Sequence, residues 1–189
     1  MKKIILTLTV LFATINVMAQ DHLSFKGIPI EGSMTEFCQK LKAKGFTSVG
    51  REKNLTLFSG DFTGRKATVG VTATDDGKNV FAVIVLFDAS SEWNTLVNTY
   101  DYYKDLYTRK YGEPTFSKEN NPALSDSNTA LMAEVHQGTV VYGSTWEVTG
   151  GDIQLSIEKS SGLYEGMVVI RYRDSQNVEA KIQNDLDDI

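Results

Sequence analysis

The sequence predicts an α+β protein in which helices pack on one face of one or two antiparallel sheets. Two observations carry this prediction: helical periodicities at residues 33–44 and 91–111, and runs of alternating apolar and polar residues separated by short turns. The predicted order is a helix, about three strands, a second helix, about four strands and a terminal helix. This order suggests a pseudo-repeat of a helix followed by three or four strands, with halves at residues 20–114 and 115–189.

The first helix is predicted at residues 33–44 because its start, its buried face and its end each carry a signal. Ser33 and Glu36 have the spacing of a capping box, in which each side chain bonds the backbone N–H of the other residue. Gly45 follows as a terminator. Apolar side chains recur at spacings of three and four, as they do on the buried face of an amphipathic helix: Met34, Phe37, Cys38 and Leu41.

Strands are predicted between this helix and the next. Residues 55–62 form one candidate, and residues 66–74 alternate with period two, which is typical of a strand with one solvated face. Residues 75–78 have the composition of a turn, with Gly77 free to adopt a positive φ. Residues 80–87 are apolar on both faces, which indicates a central strand.

The second helix is predicted from Ser91 to Tyr111, ended by Gly112. Tyr102 and Leu106 point nearly opposite its main apolar face, so they are predicted to form a small exposed apolar patch. Such a patch suits contact with a partner, because aromatic residues are enriched at interfaces. The main apolar face is predicted to be core and holds Trp93, Leu96, Val97, Tyr100, Tyr103, Tyr107 and Tyr111.

The segment at residues 115–129 is polar and is predicted to be one long loop that contains Asn120 and Asn121. Loops longer than about 12–15 residues are uncommon unless they are functional or mobile. We therefore expect this loop, like the patch on the second helix, to be a candidate binding surface.

The remaining sequence predicts strands and a short terminal helix. Strands are expected from about Ala130 onward, with a hairpin around residues 150–151 and a last strand at residues 167–172. Asp174 or Ser175 has the position and chemistry of an N-cap for the terminal helix.

The first 19 residues are predicted to be a cleavable signal peptide. Two lysines precede an apolar stretch at residues 4–15, and Ala19 places a small residue before the predicted cut at Gln20. The apolar stretch is shorter than the roughly 20 residues of a membrane-spanning helix. We therefore expect an exported protein of the periplasm or the extracellular space, with a single domain at residues 20–189 and no membrane insertion after cleavage.

Charge argues against two classes of partner. The chain holds 19 Lys and Arg residues against 24 Asp and Glu residues, and cleavage of the signal peptide would remove two of the lysines. An acidic surface repels phosphate backbones and anionic lipid headgroups. We expect no nucleic acid and no membrane surface as a partner.

The sequence contains no catalytic motif. His22 and His136 are the only histidines, and both are expected on the surface, His22 near a poorly ordered terminus and His136 in a strand. Cys38 is the single cysteine and is expected to be an inert core residue. The sequence has neither a cluster of metal ligands at close spacing nor a Gly-x-Ser-x-Gly turn. We therefore assign no catalytic residue, no metal site and no cofactor.

Segments made of turn and packing residues carry a resemblance across most of the chain. They are Phe25–Gly32, Phe37–Phe46, Lys110–Pro114, Thr145–Glu147 and Ile170–Asp174. Together they resemble a family of small exported proteins from Bacteroides-type gut bacteria. That family has no established activity, so the resemblance implies no catalytic residue. The order of helices and strands is also similar to the β-lactamase-inhibitor-protein-like fold, which implies an architecture and no contact residue.

Three functions are compatible with these features. The first is a non-enzymatic binding module of the cell envelope, contacting a protein partner or a second copy of the chain through Tyr102, Leu106, Asn120 and Asn121. The second is a carrier or sensor of a small apolar ligand, which requires a cavity of about 300 Å³ or more. The third is a hydrolase, which requires two carboxylates facing each other within about 10 Å.

Overall fold

A computed structural model describes residues 21–187 and residue 189. The predicted signal peptide and its cleavage site at Ala19 and Gln20 lie outside the described residues. The helices are α1 (Met34–Ala43), α2 (Trp93–Tyr111), α3 (Asn128–Gln137) and α4 (Ser175–Asp187). The strands are β1 (Ser24–Phe25), β2 (Ile28–Pro29), β3 (Thr47–Arg51), β4 (Leu55–Phe62), β5 (Arg65–Ala73), β6 (Val80–Leu86), β7 (Phe116–Asn120), β8 (Val141–Val148), β9 (Gly151–Lys159) and β10 (Gly166–Asp174). Among the described helices, none combines the length and the apolar character needed to cross a membrane.

One antiparallel sheet dominates the fold. Its strand order is β3-β4-β5-β6-β10-β9-β8-β7, and β1 pairs with β2 in a separate hairpin. The two predicted halves contribute β3–β6 and β7–β10, and they meet where β6 pairs with β10, for example at Val83 and Tyr172. β6 lies at the centre of the sheet, as its apolar sequence predicts. The prediction of an α+β fold with an antiparallel sheet and helices packed against it is confirmed.

The two faces of the sheet differ in their surroundings. Val71 and Val83 pair across β5 and β6, and both are fully buried in the core. The buried apolar residues of α1, α2 and α3 belong to the same core, whereas α4 contributes none. On the opposite face, Leu57 and Ile84 flank Gly70 and are only half-buried. The core therefore lies between the sheet and the first three helices.

The first turn of α1 is capped by a neighbouring residue, whereas the first turn of α2 is capped by a residue distant in the sequence. In α1, the Ser33 hydroxyl accepts a hydrogen bond from the Glu36 N–H at 3.3 Å, and the Glu36 carboxylate accepts one from the Ser33 N–H, which confirms the capping box. In α2, the first backbone N–H, that of Trp93, donates to the Asn128 side chain at 2.8 Å. Because Asn128 belongs to α3, the position of α3 determines how α2 begins.

The prediction of one long loop at residues 115–129 is wrong, as is the prediction of strands from Ala130. β7 is an exposed edge strand whose Ser117 hydroxyl lies 3.0 Å from the buried Ser144 hydroxyl of β8. α3 then begins with Ser127, whose hydroxyl accepts a hydrogen bond from the Ala130 N–H. A polar edge strand has no alternating pattern because neither of its faces is buried, and α3 has only two fully buried positions, so both elements lack a clear periodicity.

Candidate functional site

A cleft lies between the C-terminal half of α2 and the N-terminal segment at residues 21–27. Its volume is about 820 Å³. Phe62 at the end of β4, Tyr172 of β10, Val148 at the end of β8 and Thr149 after it also line the cleft. This volume lies within the range of about 300–1,000 Å³ that is usual for small-molecule sites.

Aromatic rings form most of the apolar lining of the cleft. Phe62 and Tyr103 lie with ring centroids 5.9 Å apart, and Tyr107 and Tyr111 stack at 6.0 Å with an interplanar angle of 11°. Three of the tyrosines, at positions 103, 107 and 111, are four residues apart, so they lie on one stripe of α2. Because the rings pack on one another and on the core, the apolar surface exists before any ligand arrives.

The phenol hydroxyls of Tyr103, Tyr107 and Tyr172 bond to protein groups. The Tyr103 hydroxyl lies 2.8 Å from the Thr63 hydroxyl, and the Tyr107 hydroxyl forms a buried hydrogen bond with that of Tyr172. Burial is the main cause that raises the pKa of Tyr103, Tyr107 and Tyr172 above the ordinary value of a phenol. These hydroxyls therefore stay neutral at physiological pH and serve as hydrogen-bonding groups rather than as bases.

The fully buried carboxylate of Asp174 holds the N-terminal wall of the cleft in place. One oxygen accepts a hydrogen bond from the Leu23 N–H at 2.9 Å and lies 3.0 Å from His22 Nδ1. The other oxygen accepts a hydrogen bond from the Asn177 N–H at 3.0 Å, which confirms Asp174 as the cap of α4. The prediction that His22 lies on a poorly ordered surface terminus is wrong, because this contact leaves only 16% of its side chain exposed.

The ionisable groups that line the cleft form neither a pair of facing carboxylates nor a histidine–nucleophile pair. His22 faces a carboxylate at each ring nitrogen, Asp174 at Nδ1 and Glu31 at 3.5 Å from Nε2, so no nitrogen is aimed at a nucleophile. Among the described lining residues, Asp21 supplies the one carboxylate, whereas glycoside hydrolysis needs two. In residues 21–187 and 189, no group of three His, Cys, Asp or Glu side chains could hold a metal ion.

Two hairpin turns at the cleft place a residue other than glycine at a first position with a positive φ, which that residue does not favour. Lys26–Gly27 joins β1 to β2 with φ values of 49° and 75°, and Thr63–Gly64 joins β4 to β5 with 53° and 80°. Two-residue turns with positive φ at both positions favour Asn, Asp or Gly at the first position. Both Lys26 and Thr63 line the cleft, so two unfavourable backbone positions coincide with the candidate site.

The four predicted contact residues do not form one surface. Tyr102 is 41% exposed and lies under the Arg65 guanidinium of β5, whose carbon is 5.2 Å from the ring centroid. Leu106 is half-buried, packs against the core and lines the cleft, so the prediction that it belongs to an exposed patch is wrong. Asn120 ends β7 and Asn121 follows it, at the opposite edge of the sheet from the β3–β5 side that Tyr102 faces.

Asn121 has a structural contact of its own. Its side-chain amide donates to the Leu131 carbonyl at 3.2 Å and accepts a hydrogen bond from the Ala123 N–H at 3.1 Å. The bond to Leu131 joins the segment after β7 to α3, whereas the bond from Ala123 is local to that segment. Asn120 is exposed at the end of the edge strand and pairs with Val141 of β8.

The other residues with reactive side chains lie away from the cleft. His136 is on α3, so its predicted place in a strand is wrong, and its ring lies 4.7 Å from that of Tyr164. Cys38 is half-buried on α1, where its thiol contacts Met34 Sδ at 3.5 Å. Burial raises the pKa of the Cys38 thiol, which keeps it protonated and poorly nucleophilic.

No family model matches the sequence, and neither a curated protein nor a solved structure matches it. The resemblance to small exported proteins of gut bacteria and the similarity to the β-lactamase-inhibitor-protein-like fold therefore stay predictions. Function has to be inferred from the chemistry of the cleft.

Proposed function

We propose that this protein binds a small molecule with a large apolar surface in the cleft between α2 and residues 21–27. The observation that carries the proposal is a cleft of about 820 Å³ lined by aromatic rings. Apolar contact with such rings supplies affinity, and the few polar groups around them orient the ligand. The proposal corresponds to the carrier or sensor hypothesis of the sequence analysis.

Preorganisation supports this proposal. Tyr103 is fully buried, and Phe62, Tyr107 and Tyr172 are almost as deeply buried, so their rings are already held by the core. A ligand that contacts them need not order them, and this lowers the entropic cost of binding. Thr63 is exposed, and its hydroxyl, which bonds that of Tyr103, offers a polar point at the edge of the apolar lining.

The two other hypotheses have less support from the described residues. A carboxylate hydrolase would need a second acid beside Asp21 among the residues that line the cleft. A partner surface built from Tyr102, Leu106, Asn120 and Asn121 would require the four residues to lie on one continuous surface. They do not, because the two asparagines lie at the β7 edge of the sheet. We therefore favour binding of a small ligand over catalysis and over that particular protein contact.

We also propose that binding takes place outside the cytoplasm. The support is the signal-peptide pattern of residues 1–19. Intact-mass spectrometry of the protein from its native cells should show a chain that starts at Gln20. Recovery of the bulk of the protein with Met1 in place would refute export by this signal.

The binding proposal can be tested with N-phenyl-1-naphthylamine, a neutral probe whose fluorescence rises in apolar surroundings. We expect saturable binding of one probe per chain. Leu106→Trp places an indole in the cleft, and we expect it to weaken binding about tenfold, equivalent to losing roughly 56 Å² of apolar contact at about 25 cal/mol per Å².

The matched control is Tyr102→Trp, which places the same indole on the same helix at a position outside the cleft lining. This variant should bind the probe as the unmodified protein does. Circular dichroism and the melting temperature establish that both variants are folded. Absence of saturable binding to the unmodified protein, or equal affinities in the two tryptophan variants, would contradict the proposed function.

A further inference from the structure

We infer that the ligand carries an anionic group, held at the mouth of the cleft by the ammonium groups of Lys26 and Lys110. This inference rests on the proposed function and narrows the ligand to an apolar body with a carboxylate, sulfonate or phosphate group. It concerns two residues that line the cleft from opposite walls, Lys26 on the β1–β2 turn and Lys110 near the end of α2.

Both ammonium groups are available to a ligand. Lys26 Nζ donates to the Asp61 backbone carbonyl at 3.1 Å and lies 6.0 Å from the centroid of the Phe62 ring, which lines the cleft. Lys110 Nζ lies 4.8 Å from the centroid of the Tyr111 ring. Within the described residues, neither ammonium has a carboxylate oxygen within 4.0 Å. Both charges are therefore held close to the aromatic lining without an ion-pair partner among the described residues.

The backbone conformation of Lys26 is a second, independent observation that supports a role for this lysine in ligand binding. Its φ of 49° belongs to the left-handed region, where Asn, Asp and Gly are more stable than Lys. Asn at this position would suit the turn better, so the backbone conformation alone does not explain the lysine. A residue whose type is unfavourable for its backbone conformation, at the edge of a cleft, indicates a role in that cleft.

Charge around the cleft differs from that of the chain as a whole. The chain has a formal net charge of −5, which repels anions at long range. Among the described lining residues, two lysines accompany a single carboxylate, that of Asp21, so the lining itself holds one more ammonium group than carboxylate. An anionic amphiphile would bind there in preference to a cationic one of the same shape.

The test compares two probes that differ by one group. 8-Anilinonaphthalene-1-sulfonate has the ring system of N-phenyl-1-naphthylamine with a sulfonate added. We expect the sulfonate to bind about twofold to fivefold more tightly, the range for an ion pair that remains partly exposed to solvent. Added salt should weaken binding of the anionic probe and leave binding of the neutral probe unchanged.

Three variants test whether Lys26 and Lys110 cause the preference for the anionic probe. Lys26→Asn and Lys110→Gln together should abolish the preference for the anionic probe without weakening the neutral one. Lys26→Asn alone should also raise the melting temperature, because Asn suits a positive φ, while it reduces the preference. Lys118→Gln on the exposed strand β7 removes a lysine away from the cleft and should change neither quantity.

The outcomes separate this inference from the function on which it rests. Equal affinity for the two probes, or a preference that survives in the double variant, would overturn the anionic assignment and leave binding in the cleft intact. Failure of both probes to bind the unmodified protein would overturn the proposed function together with the inference.

Discussion

Asp174→Ala should detach the N-terminal wall of the cleft and destabilise the whole domain. The carboxylate is fully buried and bonds the Leu23 N–H, the Asn177 N–H and the His22 ring. Hydrogen bonds to a charged group contribute about 1.5–3 kcal/mol each, and loss of a helix N-cap costs about 1 kcal/mol. The contributions overlap because one side chain makes all of them, so we expect the free energy of unfolding to fall by about 3–5 kcal/mol.

Urea denaturation followed by circular dichroism measures this change, and hydrogen exchange shows where it acts. Exchange should accelerate most at residues 21–31 and in the first turn of α4, because Asp174 joins these two segments. Asp105→Ala is the control: Asp105 is an exposed partner of Arg109 on α2, and its loss should cost less than about 0.5 kcal/mol.

If Asp174→Ala does not fold, Asp174→Asn provides the measurement, since it keeps one acceptor oxygen and should lose about half as much stability. A loss below about 1 kcal/mol for the alanine variant, or exchange that accelerates evenly over the whole chain, would refute the claim that this carboxylate holds the cleft wall.

Further predictions concern packing and pH. Gly60→Ala would place its Cβ 2.3 Å from the Phe46 ring and should cost about 1–3 kcal/mol, whereas Gly143→Ala, whose Cβ meets nothing nearer than 3.9 Å, should be neutral or stabilising in the same denaturation assay. At Glu158, burial is the largest single influence and acts to raise the pKa, but the hydrogen bonds from Arg171 and Ser156 and the charge of Arg171 together outweigh it and hold the pKa below its ordinary value of 4.5. Since the folded-state pKa is the lower one, the pair stabilises the protein above about pH 4.5 and loses this effect as the pH falls through the folded-state pKa. Glu158→Gln should therefore flatten the acid side of the stability profile, and an unchanged profile would contradict this reading.

The elements that the sequence predicts well are those with strong local signals. α1 has a capping box, β5 alternates with period two, and β6 is apolar throughout, and each of these patterns reports burial by nearby parts of the chain. α2 is predicted for the same reason, through its stripe of aromatic residues. These local patterns are sufficient to identify the α+β class.

The elements and contacts that the sequence does not reveal depend on distant partners. β7 is exposed at every residue, so no hydrophobic pattern marks it, and its place follows from pairing with β8. His22 and Asp174 meet across 152 positions of the chain, which no spacing rule predicts. Signals did exist for α3, namely Ser127 as an N-cap and Gly138 as a left-handed C-cap.

The cleft can be predicted from the sequence only in part. The tyrosines at positions 103, 107 and 111 are correctly assigned to the inner face of α2, but the sequence does not show that a space remains beside them. The sequence did contain a signal for the β1–β2 hairpin, because Gly27 lies in a two-residue connection between Phe25 and Ile28. Lys26 is unusual at the first position of this turn, where φ is positive.

The most direct test of the central claim is a titration of the ¹⁵N-labelled protein with N-phenyl-1-naphthylamine, followed by two-dimensional NMR. Binding in the cleft predicts that the largest chemical-shift changes fall at residues 21–27, 62–63 and 103–111, which line it. Changes that cluster on the opposite face of the sheet, around Leu57 and Ile84, or the absence of any saturable change, would contradict a small-molecule site between α2 and the N-terminal segment.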